Sequence, residues 1–251
     1  MRNMLVKGGY TIYGVPIGIL VCQTLFPRVQ GDVGNASTYD FPVRLKIVEG
    51  ATDARITIPS EIDGSLLTSF IKAAQDLEKE GVKAIATSCG YLSAFQEQLA
   101  EAVSVPVFTS SLLLVPMISR MLGKNRKVGI IAANGMTLKE DSLTGAGIDS
   151  SIQLVIRGME NSKEFSRVIL TDLESQDTTM DTAKMQTELV KVCRQLVEDE
   201  PRVGALVFEC TNLQPYAAAV QNEIGLPIFT IVDLVSLVYK AVVKETIDEF
   251  L

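Results

Sequence analysis

The sequence predicts an α/β protein of two similar halves. Each half is a parallel sheet covered by helices, a pseudo-twofold axis relates the two, and the active site lies in the cleft between them. Three observations carry this expectation. Short, continuously apolar runs alternate with amphipathic helical stretches, the pattern of parallel strands buried on both faces. The segment "VKAIATSCGYLSAFQEQLAEAVSVPVFTSSLLLVPMI" (82–118) aligns without a gap on "VGALVFECTNLQPYAAAVQNEIGLPIFTIVDLVSLVY" (203–239). Two further runs, "VPIGILVCQT" (15–24) and "RKVGIIAANG" (126–135), share a Gly-Ile pair and end in small polar groups.

Strands are expected at 15–22, 43–48, 82–88, 105–108, 127–132, 152–156, 203–209 and 226–230. Helices are expected near 64–80, 92–103, 111–122, 137–145, 161–174, 181–199, 213–224 and 232–249. Arg2 and Lys7 precede the first strand as they would a signal peptide, but Tyr10, Tyr13, Gly14 and Pro16 interrupt the apolar run. The uncharged stretch 102–119 is cut by Pro106, Pro116 and the cluster Thr109-Ser110-Ser111 into strand, turn and helix start, so it reads as core and not as a membrane span. In this scheme a first Rossmann-like lobe occupies 1–112 and is completed by a C-terminal helix at 231–251. A second lobe occupies 113–230.

In the repeat, Cys210 falls on Cys89, Pro227 on Pro106, Phe229 on Phe108 and Thr230 on Thr109, with identity at eight of 37 positions. Each cysteine closes a strand and opens a helix. Ligands of parallel α/β sheets bind beyond such carboxyl ends, and N–H groups at a helix start favour thiolate over thiol. Cys89 and Cys210 are therefore the candidate catalytic residues. Two facing thiols suit inversion at carbon, one taking the α-proton and the other returning a proton to the opposite face. Ser88, Gly90, Tyr91, Thr211 and Asn212 surround the sulfurs and are candidates for holding the substrate and its carbanion. Gln23, Thr24 and Asn134 end the two partner strands and are further pocket candidates.

The composition narrows the alternatives. Hydrophobic residues make up 47% of the chain, enough for a large core. A net charge of −7 argues against a nucleic-acid phosphate binder and gives no support to anionic membrane. The chain has no histidine, which removes Ser-His and Cys-His catalysis and His-ligated metal sites. Its four cysteines form no C-x-x-C pair, so no metal and no cofactor is expected, and the thiols fit a reducing cytoplasm. Cys22, inside a strand, and Cys193, on a helix with Met185, Leu189, Val192 and Leu196, read as core thiols. Strand alternation allows Glu209 to point away from Cys210, to a cap or a pairing elsewhere. The loop "GDVGNASTYDF" (31–41) is either a surface turn or a lid, and Arg28 before it either pairs with a substrate carboxylate or is solvated.

"TSCGYLSAF" and "ECTNLQPYAAAV", one in each half, resemble the aspartate/glutamate racemase superfamily. That group includes amino-acid and hydantoin racemases, arylmalonate decarboxylase and maleate isomerase. "IGILVCQTLFPRVQGDVGNASTYDFPV" (17–43) and "RGMEN" (157–161) are similar to an Asp/Glu racemase-like branch of it. The resemblance implies Cys89 and Cys210 as the acid/base pair, no cofactor, and Thr211 as the hydroxyl residue after the second cysteine. The decarboxylase keeps only one of the two cysteines. The chain departs from the glutamate enzymes at Gly90-Tyr91, at Asn212 and at Gln23-Thr24, where those carry Asn-Thr, His or Glu, and an Asp-Ser-Gly turn. Together these readings predict a cofactor-independent racemase acting on a small amino acid or related carboxylate. The alternatives are a hydantoin-type racemase, a maleate-type cis-trans isomerase and, in another class, a non-catalytic small-anion binding protein. Homo-oligomerisation is expected as a base rate, with the segment before Val15 and the helix near 112–122 as supports.

Overall fold

The structure, a computed structural model, describes residues 8–57 and 64–244. Strands β1 (Ile17–Gln23), β2 (Val43–Thr52), β3 (Ala84–Thr87) and β4 (Val107–Phe108) form one four-stranded parallel sheet in the order β2-β1-β3-β4. Strands β5 (Lys127–Ala132), β6 (Leu154–Gly158), β7 (Val203–Phe208) and β8 (Ile228–Phe229) form a second parallel sheet in the matching order β6-β5-β7-β8. The helices are α1 (Asp53–Thr57), α2 (Gly64–Lys79), α3 (Gln96–Glu101), α4 (Val115–Leu122), α5 (Glu140–Gly145), α6 (Lys163–Val168), α7 (Thr182–Asp199), α8 (Ala217–Ile224) and α9 (Ile231–Val242). The two halves of the expected α/β fold are thus present, and every expected strand is found.

The central strands explain the sheets. β3 and β7 are buried along their whole length, as is β1 up to Gln23. Covering both faces of such strands takes helices, and a crossover helix makes neighbouring strands parallel. The shared Gly-Ile pair has a packing cause. A Cβ at Gly18 would lie 2.8 Å from Leu77 Cδ1 of α2, and one at Gly129 would lie 3.2 Å from Leu196 Cδ2 of α7. Each glycine lets the long helix of its half close onto the central strand.

The backbone repeats the duplication. Ser88 N–H donates to the Leu20 carbonyl and Glu209 N–H to the Ile131 carbonyl, both at 2.9 Å. Ile85 N–H donates to the Pro106 carbonyl and Leu206 N–H to the Pro227 carbonyl, again both at 2.9 Å. The last helices are exchanged: α4 follows β4 but packs on β5 and β7, and α9 follows β8 but packs on β3. Ser111, at the first crossing, donates from Oγ to the Phe208 carbonyl at 2.6 Å.

Several helices differ from their expected form. The stretch after Cys89 is a 3-10 helix over Gly90–Phe95 before α3 begins. Tyr91, Leu92, Ser93 and Phe95 are all buried there, and Ser93 Oγ donates to the Gly90 carbonyl at 2.9 Å, competing with regular helix bonding. The expected helix at 111–122 opens as a 3-10 turn, with Pro116 placed in the first turn of α4, where its missing N–H costs nothing. The expected 161–174 shrinks to α6. The short α1 has no counterpart in the sequence reading, and 245–249 of the last helix lie outside the described residues. Cys193 is a core thiol as expected, fully buried on α7, where burial pushes its thiol up to about 12.

α9 starts on a capping box. Thr230 Oγ1 accepts from Asp233 N–H, and Asp233 Oδ2 accepts from Thr230 N–H at 2.8 Å. Removing an N-cap hydroxyl costs about 0.5–2 kcal/mol. Thr230→Ala is therefore expected to lower the urea midpoint by that much stability, while Thr230→Ser retains most of it.

Candidate active site

Both matched cysteines end at the same place. Cys89 follows β3 with extended backbone (φ −144°) and caps the 3-10 turn at Gly90. Cys210 follows β7, and Leu213 N–H closes a turn on its carbonyl at 3.3 Å, as Leu92 N–H does on the Cys89 carbonyl at 3.2 Å. The two cysteines line one cavity, with about 300 Å³ of empty space, together with Thr57, Ser88, Gly90, Tyr91, Ala133, Ile169, Leu170, Glu209, Thr211 and Asn212. A larger concavity, with about 1490 Å³ of empty space, opens beside Tyr91, Phe95 and Lys139 but touches neither thiol. Convergent polar and ionisable groups, not size, mark the smaller one as the candidate site.

The neighbours of the thiols are held firmly. Thr211 Oγ1 donates to the Ser88 carbonyl at 2.7 Å, joining the second cysteine turn to the first. Ser88 Oγ accepts from Cys22 N–H at 2.9 Å. At the matching place in the other half, Glu209 Oε2 accepts from Ala133 N–H at 3.1 Å. Glu209 is therefore not turned away: it is 1% exposed and sits in the cavity wall. Its side chain leans on Gly90, where a Cβ would lie 2.3 Å from Oε1 and 2.4 Å from the Glu209 carbonyl oxygen. Asn212 Oδ1 accepts from Cys210 Sγ at 3.7 Å, and its Nδ2 donates to Asp32 Oδ2 at 2.8 Å.

Other sequence candidates fall elsewhere. The Tyr91 ring lines the cavity, but its hydroxyl donates to the Asn134 carbonyl at 2.6 Å. Burial first, and the Glu209 carboxylate second, push this phenol above its usual value and keep it neutral. Asn134 thus supports Tyr91 from behind and caps Met136 N–H at 3.0 Å. Gln23 accepts from Gly50 N–H at 2.8 Å, and Thr24 accepts from Arg28; both line a neighbouring cavity beyond β1. Arg28 pairs with Asp32 at 2.7 Å, and its side chain is 13% exposed. The loop 31–41 is packed: Val33 and Phe41 are buried, and Phe41 stacks on Tyr239 of α9 with ring centroids 3.8 Å apart. Thr57, Ile169 and Leu170 were not among the sequence candidates. They come from α1 and from just past α6, and no motif marks them. Among the described residues, no group of three or more metal-ligating side chains gathers, and no helix is long and apolar enough to cross a membrane.

Two parallel α/β halves joined over a pair of thiols at matched strand ends define the class: a two-lobed α/β protein built around a paired-cysteine cavity. The chain belongs to the Asp/Glu/Hydantoin racemase family, whose model matches residues 47–238. It is 28% identical over 218 residues to a dimethylsulfoniopropionate lyase of Durusdinium sp. clade D, covering 85% of this chain and 70% of that protein. It is also 28% identical over 221 residues to dimethylsulfoniopropionate lyase 3 of Emiliania huxleyi (strain CCMP1516), of which it spans 56%. The fold is shared with allantoin racemase from Klebsiella pneumoniae (TM-score 0.62, 11% identity, 92% of this chain and 90% of that one). It is likewise shared with arylmalonate decarboxylase (TM-score 0.56, 17% identity, 88% and 92%). The family is one of enzymes.

Proposed function

We propose that the chain is a cofactor-independent enzyme that removes the α-proton of a small carboxylate with a cysteine thiolate, and that inverts the carbon by returning a proton from the second cysteine. The observation that carries this reading is the placement of Cys89 and Cys210 at matched strand ends on one cavity. One thiolate takes the C–H proton and becomes a thiol. The electron pair left on carbon spreads into the carboxylate. The other thiol protonates the opposite face and becomes a thiolate, so each turnover exchanges the two states. Ser88, Thr211 and Asn212 line the cavity in which the reacting carbon would sit.

Glu209 narrows the substrate. Its carboxyl group is part of the wall, beside both cysteine turns. An ionised Glu209 would repel a second carboxylate on the substrate and attract a cationic group. The fitting substrate class is a zwitterion with one carboxylate and one ammonium or sulfonium group, rather than a dicarboxylate such as glutamate.

The similarity to dimethylsulfoniopropionate lyases over 85% of the chain favours a second fate for the same carbanion. Dimethylsulfoniopropionate is a zwitterion of this class. After α-proton removal the new carbon–carbon π bond forms, the carbon–sulfur bond breaks, and the sulfur leaves with that electron pair as a neutral sulfide. Inversion uses both thiols, whereas elimination uses one as base.

Incubation in deuterium oxide with a panel of zwitterionic carboxylates separates the fates. Inversion is expected to give α-deuterated product of the opposite hand. Elimination gives an unsaturated acid and a volatile sulfide. Neither α-exchange nor elimination across single amino acids, hydantoins and β-sulfonium acids would sink the reading.

A further inference from the structure

Asp32 does not line the cysteine cavity, yet it is only 3% exposed and reaches the site through a single side chain. Its Oδ1 accepts from Arg28 Nη1 at 2.7 Å and from Gly34 N–H at 2.8 Å. Its Oδ2 accepts from Asn212 Nδ2 at 2.8 Å. An ionised carboxylate only accepts, so Asn212 must turn its NH₂ to Asp32; the flipped amide would set two acceptor oxygens against each other. That leaves Asn212 Oδ1 on the far side, where it accepts from Cys210 Sγ at 3.7 Å. The other half carries a different residue there. The residue at the matching place is Tyr91, whose hydroxyl is committed to Asn134 and Thr137.

We propose that Asp32 is a positioning residue: it locks the Asn212 amide with its oxygen on the Cys210 sulfur, so that Cys210 rests as the proton-donating thiol. The inference rests on the reading that these two thiols carry the proton. An acceptor on sulfur favours the S–H form, whereas a donor would favour S⁻.

Among the described residues, the titratable groups that share the cavity with Cys210 are Cys89 and Tyr91 from the first cysteine turn and Glu209 before it in the chain. Behind Asn212 lie Asp32, Arg28, Tyr39 and Tyr216. Burial first, then Asp32, pushes Tyr39 up. The same causes, with Glu164 third, push Tyr216 up to about 12. The phenols therefore do not titrate in the thiol range, which leaves the thiols readable.

Asp32→Asn should reverse the relay. Arg28 and the Gly34 N–H are both donors, so the new amide gives them its oxygen and offers its NH₂ to Asn212. Asn212 then flips and points its own NH₂ at the sulfur. The test uses the full-length chain with Cys89→Ser, so that Cys210 titrates without its partner. Iodoacetamide alkylation of Cys210 is followed against pH by peptide mass spectrometry. Asp32→Asn is expected to move the alkylation midpoint downward, raising the rate below it about tenfold. Asn212→Ala alone, which removes the acceptor, is expected to lower the midpoint as well. In the Asn212→Ala background, Asp32→Asn should then add little.

No shift with either variant overturns the proposal. An equal Asp32→Asn shift in both backgrounds also overturns it, because bare charge would then be the cause. Should Asp32→Asn fail to fold, Asn212→Ala decides alone. Turnover is not read, so a failed assignment of the reaction and a failed relay are told apart.

Discussion

Cys89→Ser and Cys210→Ser are each expected to lower turnover by about 10²–10⁴, the contribution of a positioned acid or base. Serine nearly matches cysteine in size and keeps a polar atom, so the cavity wall persists. A hydroxyl does not ionise near neutral pH, so the base is lost. Both cysteines are almost fully buried, at 6% and 5% exposed, and neither variant opens a void larger than the sulfur. Melting temperatures should therefore stay close to wild type while kcat falls. The two variants should also differ. With Cys210 replaced, the thiol at 89 remains able to exchange the α-proton of one enantiomer with solvent, but inversion stops. Measuring α-deuteration and optical rotation in parallel reads this directly. Undiminished turnover in either variant would remove that thiol from the chemistry and leave the other as the base of an elimination.

Gly90→Ala should damage stability and activity together. The Cβ would sit 2.3 Å from Glu209 Oε1 and 2.4 Å from the Glu209 carbonyl oxygen. A side chain can swing aside, but the carbonyl belongs to the end of β7 and cannot. Relief requires the turn carrying Cys89 to move away from the turn carrying Cys210. Overpacking of this kind costs about 1–3 kcal/mol, and small displacements of reacting groups are costly in rate. The loss should persist in a Glu209→Ala background, because the carbonyl remains. Gly64→Ala is the control: it opens α2 with nothing within 4 Å of the new methyl. Urea midpoints and kcat for the three variants check this, and a Gly90→Ala protein as stable as Gly64→Ala would refute the contact.

The sheets were legible because continuous apolar runs leave a parallel strand few other environments. The cysteine pair was legible because the duplication repeats chemistry at a constant spacing, Cys on Cys and Thr230 on Thr109. Charge was harder to place. Glu209 precedes Cys210, and strand alternation directs neighbours to opposite faces, but β7 ends at Phe208. Past that point the period-two rule lapses, and Ala133 N–H draws the carboxylate into the wall. Gln23 and Thr24 failed to reach the cysteine cavity for a related reason. β1 and β2 lose register between Cys22 and Gln23, which turns Gln23 onto Gly50 and Thr24 toward Arg28. Asp32 looked like a turn residue because its partner Asn212 lies 180 positions away, a relation no local pattern encodes.

The exchanged helices have a mechanical consequence. The chain passes from the first half to the second at Ser111, and that crossing is bonded to the Phe208 carbonyl, two residues before Cys210. Opening the halves as two rigid plates would place the pivot at this crossing. Displacement grows with distance from a pivot, so the outer rim of the cleft would travel far while the thiols near the axis stay almost fixed. Such a hinge would let a small molecule in and out without undoing the alignment of the two sulfurs. On the proposed chemistry, the acid and base would not need to be reassembled at every turnover.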